Sequence, residues 1–230
     1  MAAFGAWTLA KQAGFDLEFQ FCDEPLRPSD FYIVPAQAGL NNLPRDRYLA
    51  LMERVAAGAT LYYSFDGACL APFDEFFGLT ADYREVFPGT ATVEIDGETL
   101  PFDFSSRMTV HSCGAEVLLR DADGRIVLSR HRYGAGEACY LTHSPEKQIV
   151  TRNGAAERPY YKLYGEVARK VLERRAFRTN DPRLTATLHH AAPDLAYAVI
   201  VNNADATLAV THPAFAPGWC LDRKSTRLNS

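Results

Sequence analysis

The sequence lacks any long apolar run, because no stretch approaches the roughly 18 uninterrupted apolar residues of a membrane-spanning helix. It also lacks a basic surplus, since 24 basic side chains stand against 28 acidic ones and the formal net charge is −4. This mild acidic balance argues against nucleic acid or an anionic membrane as a partner. The N-terminal residues show no basic segment followed by an apolar one, so no signal peptide is predicted and a cytoplasmic location is expected.

Cysteine is also scarce, with five residues spread over the chain and no C-x-x-C pair. The odd number and the wide spacing argue against a disulfide framework and against a zinc knuckle. The adjacent His189 and His190 point to opposite faces of a predicted strand, so they cannot bind one metal ion together. We therefore expect reduced thiols and neither a metal nor a cofactor. The cysteines are Cys22, Cys69, Cys113, Cys139 and Cys220.

What the sequence does contain is typical of a folded protein, with 47% hydrophobic and 23% charged residues. Up to residue 65, amphipathic segments with helical spacing alternate with short apolar runs, and the links between them are short. This alternation predicts an α/β fold with a doubly wound parallel sheet. The predicted helices are residues 1–14 and 44–57, and the predicted strands are residues 16–21, 31–35 and 60–65.

The pattern changes after residue 65, where period-two alternation flanks short polar turns. These features predict β-hairpins inserted between the later elements of the α/β domain. The predicted elements are a short helix at 73–77, hairpins at 92–104 and 115–129, a glycine turn at 133–136, a buried strand at 138–142 and a long helix at 159–177. Three more strands, at 184–188, 197–201 and 207–211, predict an antiparallel β-domain.

These predictions divide the chain into an α/β domain at 1–177, the start of a C-terminal β-sandwich at 178–222 and a tail at 223–230. The tail changes composition abruptly and resembles a translated sequencing-adapter sequence, so it is left out of functional reasoning. An α/β domain rarely begins with a helix, because that helix normally returns from a preceding parallel strand. We therefore expect that the first strand of the sheet is missing from this chain.

Several segments carry a resemblance to a known family. Residues 9–16, the strand ending at Pro35 and residues 57–64 resemble the glutamine-amidotransferase-like domain of certain glycoside hydrolases. Residues 130–142 are similar to the late glycine turn and last buried strand of that domain. The nearest family is the β-galactosidase trimerisation-type domain of family 42. The resemblance implies a flavodoxin-like sheet of the class I glutamine amidotransferase type, followed by a small β-sandwich.

The same resemblance implies a function. In that family two carboxylates on a separate (β/α)8 barrel cut the glycosidic bond, and a barrel of about 250 residues does not fit in this chain. The expected function is therefore that of a non-catalytic accessory or oligomerisation domain of a β-galactosidase-like enzyme in carbohydrate metabolism. Its expected partners are the enzyme's own barrel, a carbohydrate substrate and further copies in a homo-oligomer.

One alternative is an autonomous cysteine hydrolase or amidotransferase that uses Cys69, His143 and Glu146. Class I amidotransferases place the cysteine in a G-x-C-x-G elbow and supply His-x-Glu later, so that the histidine takes the thiol proton and the carboxylate orients the ring. Here Ala71 replaces the second glycine, and two residues separate His143 from Glu146. A buried thiol and a polar loop end explain the same residues. Ser64, at the end of its predicted strand, is a further candidate nucleophile without a G-x-S-x-G motif.

A second alternative is a carbohydrate-binding module. Aromatic side chains cluster where the carboxyl ends of the parallel strands are expected, and such rings can stack on sugar faces. A local hydrophobic cluster, or a contact with the barrel, explains the same rings. The candidate sugar-contacting residues are Phe73, Phe76, Phe77 and Tyr83, with Phe87 nearby. The carboxylate pairs at 74–75 and 121–123 lie at a helix start and in a hairpin turn, where acids are expected as capping and turn residues.

Overall fold

The computed structural model describes residues 2–36, 43–65, 70–174, 181–192 and 195–208 of the chain. The chain divides into two units, Met1–Arg174 and Arg175–Ser230. The helices of the first unit are α1 Ala2–Gln12, α2 Arg45–Ala56, α3 Phe73–Phe77, α4 Pro145–Thr151, α5 Tyr161–Val167 and α6 Arg169–Glu173, with a 3-10 turn at Ala155–Glu157. Its strands are β1 Phe31–Val34, β2 Thr60–Ser64, β3 Leu79–Glu85, β4 Gly89–Ile95, β5 Glu98–Phe104, β6 Arg107–Ser112, β7 Glu116–Arg120, β8 Ile126–Tyr133 and β9 Gly136–Leu141.

A five-stranded mixed sheet forms the centre of the first unit, in the order β1–β2–β9–β8–β7. β1, β2 and β9 run parallel, whereas β8 is antiparallel to β9 and β7 is antiparallel to β8. The predicted α/β class and the β7–β8 hairpin are confirmed, but the sheet is not parallel throughout. The reason is local, because the tight turns before and after β8 can join only antiparallel strands.

Separate apolar clusters cover the two faces of this sheet. Successive side chains of a strand point to opposite faces. Tyr62 and Leu141 therefore pack on the face covered by α1 and α5, whereas Leu61 and Tyr140 pack on the face covered by α2 and α3. All residues of β2 are buried, as expected of a strand that is covered on both sides.

The helix α2 follows its sequence pattern closely. It begins after Pro44, and its apolar residues Tyr48, Leu51 and Val55 are buried against the sheet. It ends before Gly58, whose φ of 121° lies in the region that favours glycine. The predicted helix at 44–57 is therefore confirmed within one residue at each end.

Two β-ribbons of the first unit are separate from the five-stranded sheet. β4 and β5 form the predicted hairpin around Asp96 and Gly97, whose φ angles of 50° and 77° are typical of a tight hairpin turn. β3 and β6 form a second ribbon, which the sequence pattern did not predict. A bulge between Ala81 and Arg84 interrupts its register, and most of β3 is exposed, so no period-two apolar pattern marks it.

Two predicted elements of the first unit are wrong. Residues 16–21 form no strand, and they belong to none of the sheets of the described residues. The helix predicted at 159–177 is broken at Ala168 into α5 and α6. Arg130 Nη2 donates a hydrogen bond at 3.0 Å to the carbonyl oxygen of Glu166, an acceptor that a continuous helix would use within its own backbone.

The second unit contains two described strands, β10 Leu184–Ala192 and β11 Leu195–Asn202. They pair antiparallel, with a bulge between His190 and Ala192. The predicted strands at 184–188 and 197–201 are therefore confirmed as a hairpin. Of the third predicted strand, residues 207 and 208 are not in a strand and residues 209–211 lie outside the described residues.

Candidate functional site

The carboxyl ends of β2 and β9 lie side by side, since these parallel strands pair with Ser64 opposite Leu141. In open α/β sheets, ligands bind outside such strand ends. β2 ends at Ser64, and the chain leaves β9 through His143 before it enters α4. This edge is therefore the first place to look for a functional site.

The first turn of α4 places Glu146 at this edge. Ser144 caps the helix, because its side-chain oxygen accepts a hydrogen bond from the Lys147 backbone N–H at 3.3 Å. Pro145 occupies the first helical turn, where its missing N–H costs nothing. The Glu146 residue that follows is completely buried.

Four hydroxyl groups surround the Glu146 carboxyl group. Tyr62 and Tyr164 donate hydrogen bonds to Oε1 at 2.8 and 2.7 Å. Ser64 and Ser144 donate to Oε2 at 3.0 and 3.1 Å. The donors come from β2, from the start of α4 and from α5, so the carboxyl group joins three elements. We call these five residues the Glu146 cluster.

Burial controls the protonation of this cluster. It raises the pKa of the Glu146 carboxyl group above its usual value, although the hydroxyl donors oppose the rise. Burial, followed by the nearby Glu146 charge, raises the pKa values of Tyr62 and Tyr164 well above those of free tyrosine. A carboxylate has about four acceptor positions, and here hydroxyl donors occupy that many. The arrangement binds secondary-structure elements together and leaves the carboxyl group no position to orient a histidine.

The His143 ring stacks against two phenylalanine rings of β5. Its ring centroid is 5.3 Å from that of Phe102 and 5.7 Å from that of Phe104, with interplanar angles of 21° and 17°. Burial, with a smaller effect of the Arg107 charge, lowers the pKa of His143 to about 4. The ring is therefore neutral at pH 7. None of the hydrogen bonds of the Glu146 cluster involves His143.

The Arg107 side chain packs on the Phe104 ring and on a further ring, Phe87. Its guanidinium carbon lies 5.1 Å from the ring centre of Phe104 and 5.5 Å from that of Phe87. Arg107 and Arg125 both pair with Glu85, at 3.1 and 2.7 Å. The hydrogen bond from Arg125, and then that from Arg107, lower the pKa of Glu85. These contacts fasten the β3–β6 ribbon to the β4–β5 and β7–β8 hairpins.

The described residues do not form the predicted catalytic relay. Cys69 lies outside them. Glu146 and His143 have the separate surroundings given above, and Ser64 directs its hydroxyl hydrogen at a carboxyl group instead of a histidine. Another thiol, Cys139 on β9, is buried, and this burial raises its pKa to about 12. A thiol with that pKa is not a nucleophile near pH 7.

The candidate sugar-contacting rings separate into two groups. Phe73, Phe76 and Phe77 are core side chains, packed around Tyr140 and one another, and at most 9% of each is exposed. This burial corrects the expectation for these three residues, because no ring face is left for a sugar. Tyr83 on β3 is different, with 49% of the residue exposed.

Sequence reasoning named Ser64 and Glu146 but missed the tyrosines that join them. Tyr62 and Tyr164 lie within the strand predicted at 60–65 and the helix predicted at 159–177, where the pattern assigns them no polar role. A tyrosine on a buried face needs a partner for its hydroxyl group, and this requirement is the signal that was available. Their partner lies 84 and 18 residues away along the chain, so spacing alone does not identify it.

Two further histidines lie beside local partners. His131 Nδ1 lies 3.0 Å from the backbone oxygen of Phe76, and His111 Nε2 lies 3.5 Å from a carboxylate oxygen of Asp82 at the surface. Among the described residues, no group of three or more histidine, cysteine, aspartate or glutamate side chains is placed to hold a metal ion. Within the same part of the chain, every helix is too short or too polar to cross a membrane.

The fold connects this chain to known proteins more clearly than its sequence does. No protein-family model and no curated protein sequence matches the chain. A GH42 β-galactosidase from G. stearothermophilus is similar, with a TM-score of 0.65 and 15% identity, over 88% of this chain and 30% of that chain. An exo-β-1,4-mannosidase from Opitutaceae bacterium strain TAV5 gives 0.53 and 18%, over 64% and 27%. A cytoplasmic protein from Salmonella typhimurium gives 0.55 and 13%, over 74% and 85%.

These likenesses confirm the predicted resemblance at the level of the fold. The chain spans only 30% and 27% of the two glycoside hydrolases, so it corresponds to one part of each. It spans most of the Salmonella protein, at 85%, so a similar fold also makes up nearly the whole of a smaller protein.

Proposed function

We propose that this chain is a non-catalytic accessory domain of a β-galactosidase-like glycoside hydrolase. The observation that carries the proposal is the Glu146 cluster at the strand ends. Hydroxyl groups take up the acceptor positions of the only acidic residue of the predicted triad. The histidine of that triad is a buried, stacked ring. Residue types that could support catalysis here contribute to stability instead.

The matches to glycoside hydrolases support the same proposal. A chain that covers about a third of a larger enzyme is expected to leave the chemistry to the remainder. In this proposal the sheet is a flavodoxin-like, glutamine-amidotransferase-like domain, and the catalytic carboxylates lie on a (β/α)8 barrel encoded in the same reading frame. The domain packs on that barrel, and it takes part in contacts between copies of a cytoplasmic enzyme.

Hydrolysis assays with the purified chain test the absence of catalysis. We expect no release of 4-nitrophenol from aryl β-galactosides or β-mannosides, and no ammonia from glutamine, above the rate in buffer. The intact G. stearothermophilus β-galactosidase serves as the positive control for the galactoside. Turnover that disappears in a Cys69→Ser variant, but persists in Cys139→Ser, would establish the autonomous cysteine hydrolase instead.

The source reading frame tests the accessory role directly. We expect the DNA upstream of this chain to encode a (β/α)8 barrel with catalytic carboxylates. An upstream stop codon, with the chain expressed alone and inactive, would contradict the accessory role while leaving the absence of catalysis intact.

Tyr83 remains a proposed sugar contact, because its exposed ring lies on the β3–β6 ribbon outside the core. Calorimetry with galacto- and manno-oligosaccharides should detect heat that a Tyr83→Ala variant loses. Val86→Ala is the control, since it removes a neighbouring exposed side chain that has no ring. Absence of heat with the unmodified chain would remove Tyr83 from consideration.

A further inference from the structure

The turn that follows α4 carries the only Asn-Gly pair of the sequence, Asn153 and Gly154. Both residues are exposed. The Ala155 N–H donates a hydrogen bond to the Arg152 carbonyl oxygen at 3.2 Å, so Asn153 and Gly154 are the two central residues of a β-turn. Gly154 has a φ of 73° and a ψ of 0°. These angles are typical of the second central position of a type II turn, which favours glycine.

The groups of this turn that can react with each other are not held by other contacts. Within the described part of the chain, no hydrogen bond involves the Asn153 side chain or the Gly154 N–H. Glycine has no Cβ atom, so no side chain of its own crowds the Gly154 nitrogen. A single hydrogen bond closes the turn, and exposed segments with few contacts open locally at low free energy. The Gly154 nitrogen can therefore reach the Asn153 side chain.

We propose that Asn153 is a site of spontaneous deamidation, in which the Gly154 backbone nitrogen is the nucleophile. This nitrogen gives up its proton to a base in solution and attacks the side-chain carbonyl carbon of Asn153. A carbon–nitrogen bond forms, the bond to the side-chain amide nitrogen breaks, and that nitrogen takes up a proton and leaves as ammonia. The product is a cyclic succinimide.

Water completes the reaction by opening the succinimide ring. Attack on the side-chain carbonyl carbon gives aspartate, and attack on the backbone carbonyl carbon gives isoaspartate. In sum, one water molecule is consumed, one ammonia molecule is released and no group is oxidised or reduced. The inference concerns the chemistry of this turn alone and holds whether or not the proposed accessory role is correct.

The isoaspartate product changes the junction between α4 and the core. It inserts an extra carbon atom into the main chain, inside the turn that the Arg152–Ala155 hydrogen bond closes. Ala155 is completely buried, and Gln12 Nε2 of α1 donates to the Ala156 carbonyl oxygen at 3.0 Å. A longer turn cannot keep these contacts unchanged, so conversion lowers the stability of the first unit.

Two other exposed asparagines serve as internal controls. The Asn202 amide donates to the Ala206 carbonyl oxygen at 2.8 Å, and the Asn203 amide donates to the Thr185 hydroxyl group at 2.9 Å. Each is followed by a residue that carries a Cβ atom. Because their amide groups are held and the next backbone nitrogen is crowded, Asn153 should convert at least about tenfold faster than either.

Peptide mapping by mass spectrometry tests the proposal on the 230-residue chain. The folded chain is incubated in mildly alkaline buffer, and a sample taken at time zero corrects for conversion during digestion. We expect the Asn153 peptide to convert first and to give both aspartate and isoaspartate. The Tm of the converted chain should fall by about 2 °C or more. Asn153→Gln is the matched control, because its longer side chain would require a larger and more slowly formed ring, and its Tm should not change.

Three results would overturn the proposal. Conversion of Asn202 or Asn203 as fast as that of Asn153 would show that the glycine and the free side chain do not decide the site. An Asn153 that stays intact in the folded chain but converts in urea would show that the turn blocks the attack. Formation of aspartate without isoaspartate would exclude the succinimide. An unchanged Tm in the converted chain would overturn the structural consequence.

Discussion

The Glu146 carboxyl group should be a major source of stability, which truncation of its side chain tests. The change Glu146→Ala removes the acceptor for the hydroxyl groups of Tyr62, Tyr164 and Ser64, all of which are buried. Each unsatisfied buried polar group costs roughly 1–3 kcal/mol, so the three together cost about 3–9 kcal/mol. A domain of this size has a total stability of about 5–15 kcal/mol. Glu146→Ala should therefore lower the free energy of unfolding by at least about 3 kcal/mol.

Glu146→Gln is the informative companion variant. Its amide oxygen can accept from both tyrosines, and its amide group can donate to the hydroxyl oxygens of Ser64 and Ser144. We expect a change below about 1.5 kcal/mol at pH 7, in either direction. Glu53→Ala, an exposed glutamate of α2, controls for the loss of a carboxylate and should be nearly neutral.

The pH dependence of the glutamine variant tests the protonation of Glu146. Because the pKa of this carboxyl group is higher in the folded than in the unfolded chain, the folded chain binds more protons between the two values. The stability contributed by the neutral carboxyl group is complete below about pH 4.3 and is lost as the pH rises through the folded pKa. Glutamine has no such proton, so the advantage of Glu146→Gln over the unmodified chain should grow as the pH rises.

Urea unfolding followed by circular dichroism at several pH values between 5 and 8 measures these differences. A loss below about 1 kcal/mol in Glu146→Ala, with its spectrum unchanged, would refute the argument that the hydroxyl groups depend on this acceptor. A stability difference between Glu146→Gln and the unmodified chain that stays constant with pH would refute the assigned direction of the pKa.

Other predictions concern separate sites. Gly5→Ala should destabilise the chain by more than about 2 kcal/mol in urea unfolding, because the added carbon would lie 2.1 Å from a backbone oxygen of α4. Gly165→Ala is the matched helical control. It should be neutral or stabilising, because the nearest atom is 4.0 Å away from the added carbon. Cys139, whose pKa is about 12, is tested in a variant whose other four cysteines are serine, because Cys22 and Cys113 are exposed. It should react with Ellman's reagent only after denaturant is added, and reaction in the folded variant would contradict its burial. His143 should titrate in NMR with a pKa of about 4. Between about pH 6.5 and 4 only the unfolded chain takes up this proton, so the stability contributed by the neutral His143 ring is lost as the pH falls. A midpoint near 6.5 would contradict the stacked, buried ring.

Elements whose boundaries depend on local chemistry were predictable from the sequence. The β4–β5 hairpin is an example, because Asp96 and Gly97 adopt the positive φ angles that their turn requires. The β3–β6 ribbon was missed, since a bulge and solvent exposure remove the alternation that would have marked it. The strand expected at 16–21 shows the opposite error, because its alternation is present but these residues belong to no sheet of the described part of the chain.

The candidate site was predictable only in part, because its contacts are distant in sequence. Spacing identified Glu146 and Ser64 as residues at strand ends but gave them catalytic roles. Their actual partners depend on the packing of α5 against β2, which brings Tyr164 beside Tyr62 with ring centroids 4.6 Å apart. No local pattern encodes that approach. The sequence likewise could not show that two phenylalanine rings of β5 stack against His143.

The ends of β2 and β9 are closed by hydrogen bonds within the domain. A catalytic edge must leave its acid, base and nucleophile accessible and incompletely paired, and this arrangement costs stability. Here Gln148 donates from α4 to the Asp103 carbonyl oxygen at 2.6 Å, so the β4–β5 hairpin is attached to the helix that carries Glu146. Residues of the edge thus support one another instead of facing a substrate. Substitutions among them should therefore change the stability of the domain, and in the proposed glycoside hydrolase any effect on activity should follow the loss of folded domain.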